Sequence, residues 1–169
     1  MKKETKKELI IYGSIILAII LIRTFVITPV RVNGSSMYST LKDGEIMILN
    51  KLDYKLHDIE RFDIVVIKTD EKKIIKRVIG LPGETLKYED NTLYINDKKI
   101  DEPYLKDATE DFNITSLGYD KIPDDCYFVL GDNRDNSSDS RIIGPVKKSQ
   151  ITGSASLVLF PFSEAGYRK

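Results

Sequence analysis

The sequence predicts a mainly β domain carried behind a single amino-terminal transmembrane helix. Three observations predict it. Leu9 to Val30 is an apolar stretch that carries one charge, Arg23. Short β-branched or aromatic runs follow it, separated by Gly, Pro, Asn and Asp turn signals. No amphipathic helical period appears after the apolar stretch.

The apolar stretch comes first. Leu9 to Ile22 has no charge but is too short to cross a bilayer alone. Leu9 to Val30 gives roughly 33 Å as helix, enough for a hydrocarbon core of about 30 Å. Arg23 falls near the outer end, where its long stem can snorkel to the headgroups, and Pro29 supplies a stop. Lys2, Lys3, Lys6 and Lys7 precede the span, so the positive-inside tendency keeps residues 1–8 in the cytoplasm. Residues 9–30 then form a signal anchor in the cell membrane, and residues 31–169 form one extracytoplasmic β-rich domain. A cleavable signal peptide shares the basic start and apolar core. It also needs a small-x-small cleavage site, and Val32-Asn33-Gly34 is a poor one.

Beyond the anchor, Glu45 to Leu49, Asp63 to Lys68 and Lys73 to Ile79 read as strands. Thr92 to Ile95 and Lys98 to Ile100 flank Asn96-Asp97 as a hairpin. Tyr127 to Leu130 and Ser156 to Phe160 are further strands. Asp101 to Pro123 is polar and irregular and reads as a surface excursion. There is no internal repeat. The Leu157 to Phe162 segment reads equally as a core strand or as a partly membrane-facing surface.

Composition narrows the chemistry. Charged residues are 31% and hydrophobic ones 41% of 169, a globular balance. Residues 1–30 hold five basic and two acidic side chains, leaving 21 basic and 24 acidic ones after them, a net charge of −3. An acidic outer domain argues against nucleic-acid binding. A single cysteine, Cys126, excludes an intrachain disulfide and a Cys-rich metal site, and its apolar neighbours mark it as a small buried hydrophobe. The single histidine, His57, lies in a polar stretch and reads as an exposed loop residue rather than a triad member. A hydrolase built from this chain is left with serine and lysine.

Ser36 lies in a Gly34-Ser35-Ser36-Met37-Tyr38 turn. Such a turn can present a hydroxyl and its own backbone N–H to one carbonyl, as acyl transfer requires. Serines are also plain turn formers. Lys76 sits in a β-branched run and shares a strand face with Ile74 and Val78, while Arg77 points the other way. Burial there would lower its pKa, and the nearby Arg77 would push the same way. At a pKa of ~10.4 about 0.04% of lysine is neutral at pH 7; at ~8 it is roughly 10%. The plain alternative is a solvent-facing lysine that guards a strand edge. Gly131 to Arg141, GDNRDNSSDSR, is the densest polar run. Calcium-loop spacing fails, because Arg134 stands where an oxygen ligand should be. A surface loop and a scaffold of charge pairs beneath a site both remain.

Together, Ser36-Met37 behind an anchor, KRVIGLPG at Lys76 to Gly83 and GDNRDNSSDSR at Gly131 to Arg141 resemble bacterial type I signal peptidases in their short Gram-positive form. Asp43-Gly44-Glu45 and Phe160-Pro161-Phe162 extend the resemblance over essentially the whole chain. The resemblance implies a membrane-anchored serine endopeptidase that removes signal peptides from exported pre-proteins, with no metal and no cofactor. Its partners would be those pre-proteins and the lipid bilayer, and it would act as a monomer. Ser36 would be the nucleophile and Lys76 its general base, with the Ser36 N–H in the oxyanion hole. Ser137 would orient the lysine, and Asp132, Arg134 and Asp139 would form a structural charge network. Met37 would line the substrate groove, and Val32 and Ile75 would line shallow pockets for small side chains.

Two departures stand out. Ser39 replaces the family's usual proline, which should loosen the turn slightly. Gly34 stands where some relatives carry an oxyanion-hole serine, leaving the second donor open. Two other readings compete. A self-cleaving repressor-like Ser-Lys peptidase would need a DNA-binding motif where the anchor stands. A non-catalytic anchored assembly factor of the same fold would not need the intact Ser36 and Lys76.

Overall fold

A computed structural model describes residues 3–168 of the chain. Lys2, one of the lysines weighed for topology, lies outside them. Helix α1 (Lys3–Phe25) contains a stretch, Thr5–Phe25, long and apolar enough to cross a membrane, with none of its apolar window buried against protein. The helix ends short of the expected Val30. Ile27–Arg31 is instead strand β1, antiparallel to β2 (Ile46–Asn50). The reason lies in Val26, Ile27, Thr28 and Val30, which are β-branched and favour extended backbone. Pro29 lacks an N–H, which an edge strand tolerates.

Past a single turn of helix, α2 (Asp53–Leu56), come β3 (Ile64–Lys68), β4 (Lys73–Gly80), β5 (Leu86–Glu89), β6 (Thr92–Ile95) and β7 (Lys98–Ile100). The remainder is β8 (Phe112–Asn113), β9 (Cys126–Leu130), the one-turn helix α3 (Ser140–Ile143), β10 (Val146–Lys147), β11 (Ile151–Phe160) and β12 (Gly166–Tyr167). The main sheet runs β1-β2-β11-β3-β4-β9-β10, with β12 on β11. A second sheet runs β7-β6-β5-β8. The β6–β7 turn is the expected one: Asn96 and Asp97 have φ of +50° and +60°, the paired positive values of a type I′ hairpin.

The strand read as Ser156 to Phe160 is the second half of β11, which bends so that it pairs with both β2 and β3. Gly153 permits that bend, because a Cβ there would meet the Asn50 carbonyl oxygen at 2.2 Å. Alternate residues of β3 feed two apolar clusters. Ile64 and Val66 join Val32, Met37 and Leu49; Val65 and Ile67 join Val78 and Val129. Coverage on both faces explains the unbroken apolar run in the sequence. A third cluster, with Ile79, Leu93 and Phe128, joins the two sheets.

Residues 101–123 are mostly exposed, as expected of a surface excursion, but a few of their side chains turn inward. Thr109, Ile114 and Ile122 are buried, and the Glu102 side chain is 7% exposed. Ile114 and Ile122 join the cluster of Ile79 and Phe128, and Glu102 contributes to the surroundings of the site, as described below. In the Leu157 to Phe162 segment Val158 is fully buried while Leu159, Phe160 and Phe162 are exposed, so it is a core strand along one face and an apolar surface beyond.

Candidate active site

The turn that carries Ser36 is fastened at both ends. The Val32 N–H donates to Glu45 O and the Gly44 N–H donates to Val32 O, while the Gly34 N–H donates to Asp43 Oδ1 at 2.7 Å. Met37 and Leu41, both buried, anchor the far side. Between them Ser36 is half-buried at the edge of a cleft.

Lys76 lies mid-strand in β4, opposite Val65, and is 3% exposed. Its Nζ donates to Ser36 Oγ at 2.6 Å. Burial holds the amine down to about 8; the Asp139 carboxylate opposes this, while Lys72 and Arg141 add to it. The expected contribution of Arg77 is corrected. Arg77 turns to the other face, where Asp132 takes both its Nε (2.9 Å) and Nη2 (2.7 Å), with both side chains fully buried.

Asp132, Arg134 and Asp139 do not pair with one another directly; each bonds other groups. Asp132 and Arg134 find partners outside the loop, and Asp139 finds its partners within it. Arg77 holds Asp132. Asp139 accepts the Gly131 N–H at 3.1 Å and pairs with Arg141 at 3.0 Å. Arg134 reaches into the second sheet, donating to Tyr88 Oη (2.9 Å), Thr109 Oγ1 (2.7 Å) and Glu102 Oε1 (2.6 Å). Sequence reasoning missed Glu102, an isolated carboxylate in a polar stretch that pairs with a residue 32 positions away.

The polar loop also holds the serine turn directly. The Asn133 N–H donates to Ser36 O and its Nδ2 to Ser35 O, each at 3.1 Å, and Asn136 Nδ2 donates to Ser35 Oγ at 2.8 Å. Gly131 makes this contact possible. A Cβ there would stand 2.4 Å from Ser36 O and 2.3 Å from Ser137 Oγ. Ser137 Oγ is buried without a hydrogen-bond partner among the described residues, beside Gly131 rather than bonded to Lys76.

Ser39 has φ +88°. Proline, fixed near −65°, cannot adopt that angle, so Ser39 belongs to a different backbone path rather than to a loosened proline turn.

A cleft of about 950 Å³ runs past the pair. Val32 and Met37 line one wall and Ile75 the other, with Ile143 closing one side. Both walls carry open strand edges. β1 is the last strand of its sheet, and β9 begins to pair with β4 only at Arg77, leaving Lys73 to Lys76 open on that side. His57 is exposed near Asp53, and Cys126 is buried, both away from the cleft lining. No cluster of His, Cys, Asp and Glu suited to a metal ion occurs among the described residues.

The sequence matches the family described as Signal peptidase, peptidase S26, over residues 6–160. Signal peptidase I T of Bacillus subtilis (strain 168) is 43% identical over 175 residues, 96% of this chain and 91% of that protein. Signal peptidase IB of Staphylococcus aureus (strain MRSA252) is 37% identical over 182 residues, covering 99% and 95%. The crystal structure of a signal peptidase I from Enterococcus faecalis V583 superimposes with a TM-score of 0.55 at 38% identity, over 58% of this chain and 97% of the crystallised one.

Proposed function

Because the chain belongs to the signal peptidase family, peptidase S26, and is a serine peptidase that cleaves signal peptides, we propose that Ser36 is its nucleophile and Lys76 its general base. The observation that carries this is the 2.6 Å contact between a half-buried hydroxyl and a buried amine whose proton is weakly held. Neutral Lys76 takes the Ser36 proton as Oγ attacks the scissile carbonyl. The ammonium then protonates the departing amine, and the neutral amine again activates the water that releases the acyl group. The Ser36 N–H stabilises the oxyanion. Gly34 N–H is engaged by Asp43, so the second donor comes from elsewhere. Asp132, Arg134 and Asp139 hold the loop beneath this pair and do no chemistry, and Ser137 packs against Gly131 in that loop.

Substrate lies extended in the cleft, bonding to the open edges of β1 and β4 through its main chain. Val32, Met37 and Ile75 offer shallow apolar contacts that suit small side chains. Helix α1 spans the bilayer with its amino terminus in the cytoplasm and the β domain outside, and a single copy suffices. Confinement to the surface from which the cleavage site emerges raises the effective concentration of enzyme and substrate. Cleavage of a purified pre-protein by wild type, Ser36→Ala and Lys76→Ala tests the pair. Both variants should lose processing; processing at the wild-type rate by either one removes that residue from the mechanism.

A further inference from the structure

We propose that Glu102 is a positioning residue for the Ser36–Lys76 pair, one carboxylate that ties the loop beneath the serine to the strand that carries the lysine. This rests on the assignment of Ser36 and Lys76 as the reacting pair. Glu102 follows β7 and belongs to neither wall of the cleft. Its Oε1 accepts from Arg134 Nη2 and from Tyr104 Oη, both at 2.6 Å, and Tyr88 Oη lies 3.0 Å from each of its oxygens. Two branches leave it.

The first branch runs through Arg134, which also bonds the Gly131 carbonyl at 3.1 Å. That fixes the loop whose Asn133 and Asn136 grip the turn of Ser36. The second runs through Tyr104, whose ring centre lies 3.8 Å from the Arg77 guanidinium carbon. Arg77 follows Lys76 on β4 and holds Asp132, at the root of the same loop. Glu102 therefore closes a circuit around the pair from outside the cleft lining.

The energetics point the same way. Arg134 is buried, and without a carboxylate it would be an uncompensated charge, which proteins relieve by moving the group toward water. The loop would move with it. Lys76 owes its weakly held proton first to burial, so a loosened loop admits water and restores the proton.

The test uses the full chain in detergent, with kcat, KM, pH profile and Tm measured for wild type, Glu102→Gln, Tyr104→Phe, Lys76→Ala and a control, Glu84→Gln. The control breaks the Arg61–Glu84 ion pair, whose other bonds run to Ile79 O and Leu81 N–H, and neither partner bonds the loop or Arg77. Glu102→Gln should lower kcat roughly ten- to a hundredfold with KM nearly unchanged, as displacements of about 1 Å do. Its acid limb in kcat/KM should move to higher pH. Tyr104→Phe should move both in the same direction by less, and it decides the matter if Glu102→Gln does not fold. Glu84→Gln should lower Tm alone. Wild-type kcat and an unmoved limb in the Glu102 and Tyr104 variants, or equal shifts in the control, overturn the positioning role. An active Lys76→Ala overturns instead the assignment of the reacting pair, and with it this inference.

Discussion

Below pH 8 the Lys76 ammonium is charged in the folded and unfolded chain alike, and the fold bears the whole cost of keeping it dry. Between about 8 and the ordinary 10.5 the folded chain gives up the proton first. The unfolded chain then binds more protons, so stability rises with pH across that window and levels off above it. The span corresponds to about 3 kcal/mol. Lys76→Met, which fills the space with an uncharged chain, should therefore be more stable than wild type at pH 7 by up to about 3 kcal/mol. The gap should close by pH 10.5 in denaturant titrations. Activity has the opposite interest. The acid limb of kcat/KM should sit near pH 8 in the wild type, and a profile flat from pH 6 to 9 would remove Lys76 as the base.

The turn from Asn33 to Leu41 behaves as an element in its own right, and Ser39 is its strained point. A non-glycine residue at φ +88° costs on the order of 1 kcal/mol, so Ser39→Gly should raise stability by about that much. Ser39→Pro should lower it by 2 kcal/mol or more, on the order expected where proline's φ is excluded, with cleavage falling as the turn rebuilds. The sequence could not reveal this, because the motif names the residue types and not the backbone path between them. Other elements were legible. The runs at Glu45 to Leu49, Asp63 to Lys68 and Lys73 to Ile79 became β2, β3 and β4 within a residue at each end, since tight β-branched patterns in a sheet covered on both faces leave little choice. The helix end was misplaced because apolarity alone does not separate the α1 span from the β-branched strand after it. β5, β8 and β10 are short or half-polar and carry little periodic signal. Ser36, Lys76 and the polar loop were legible as motifs. The pairing of Arg134 with Glu102 was not, because ion pairs between distant segments leave no local pattern.

At the scale of the whole molecule, no residue of α1's apolar window is buried against the β domain. Deleting residues 1–24 should leave the unfolding free energy within about 0.5 kcal/mol, as for other changes far from the core. It should slow cleavage of a membrane-inserted pre-protein far more than that of a short soluble peptide, and equal losses on both would remove the anchor from the mechanism. The orientation proposed for α1 places Cys126 and His57 outside. A membrane-impermeant protease added to intact cells should digest the β domain and spare the amino terminus, and protection of the domain would reverse the topology.

The two open strand edges have one more consequence. Counted from β1 through β2, β11 and β3 to β4, the sheet curls until its first strand and the free half of its fifth face each other across the cleft. It is a barrel lacking one stave. On the binding mode proposed above, a peptide between β1 and β4 would supply that stave and complete the ring of main-chain bonds for as long as it is whole. If Ser36 is the nucleophile as proposed, its cut would break the ring that the peptide had closed.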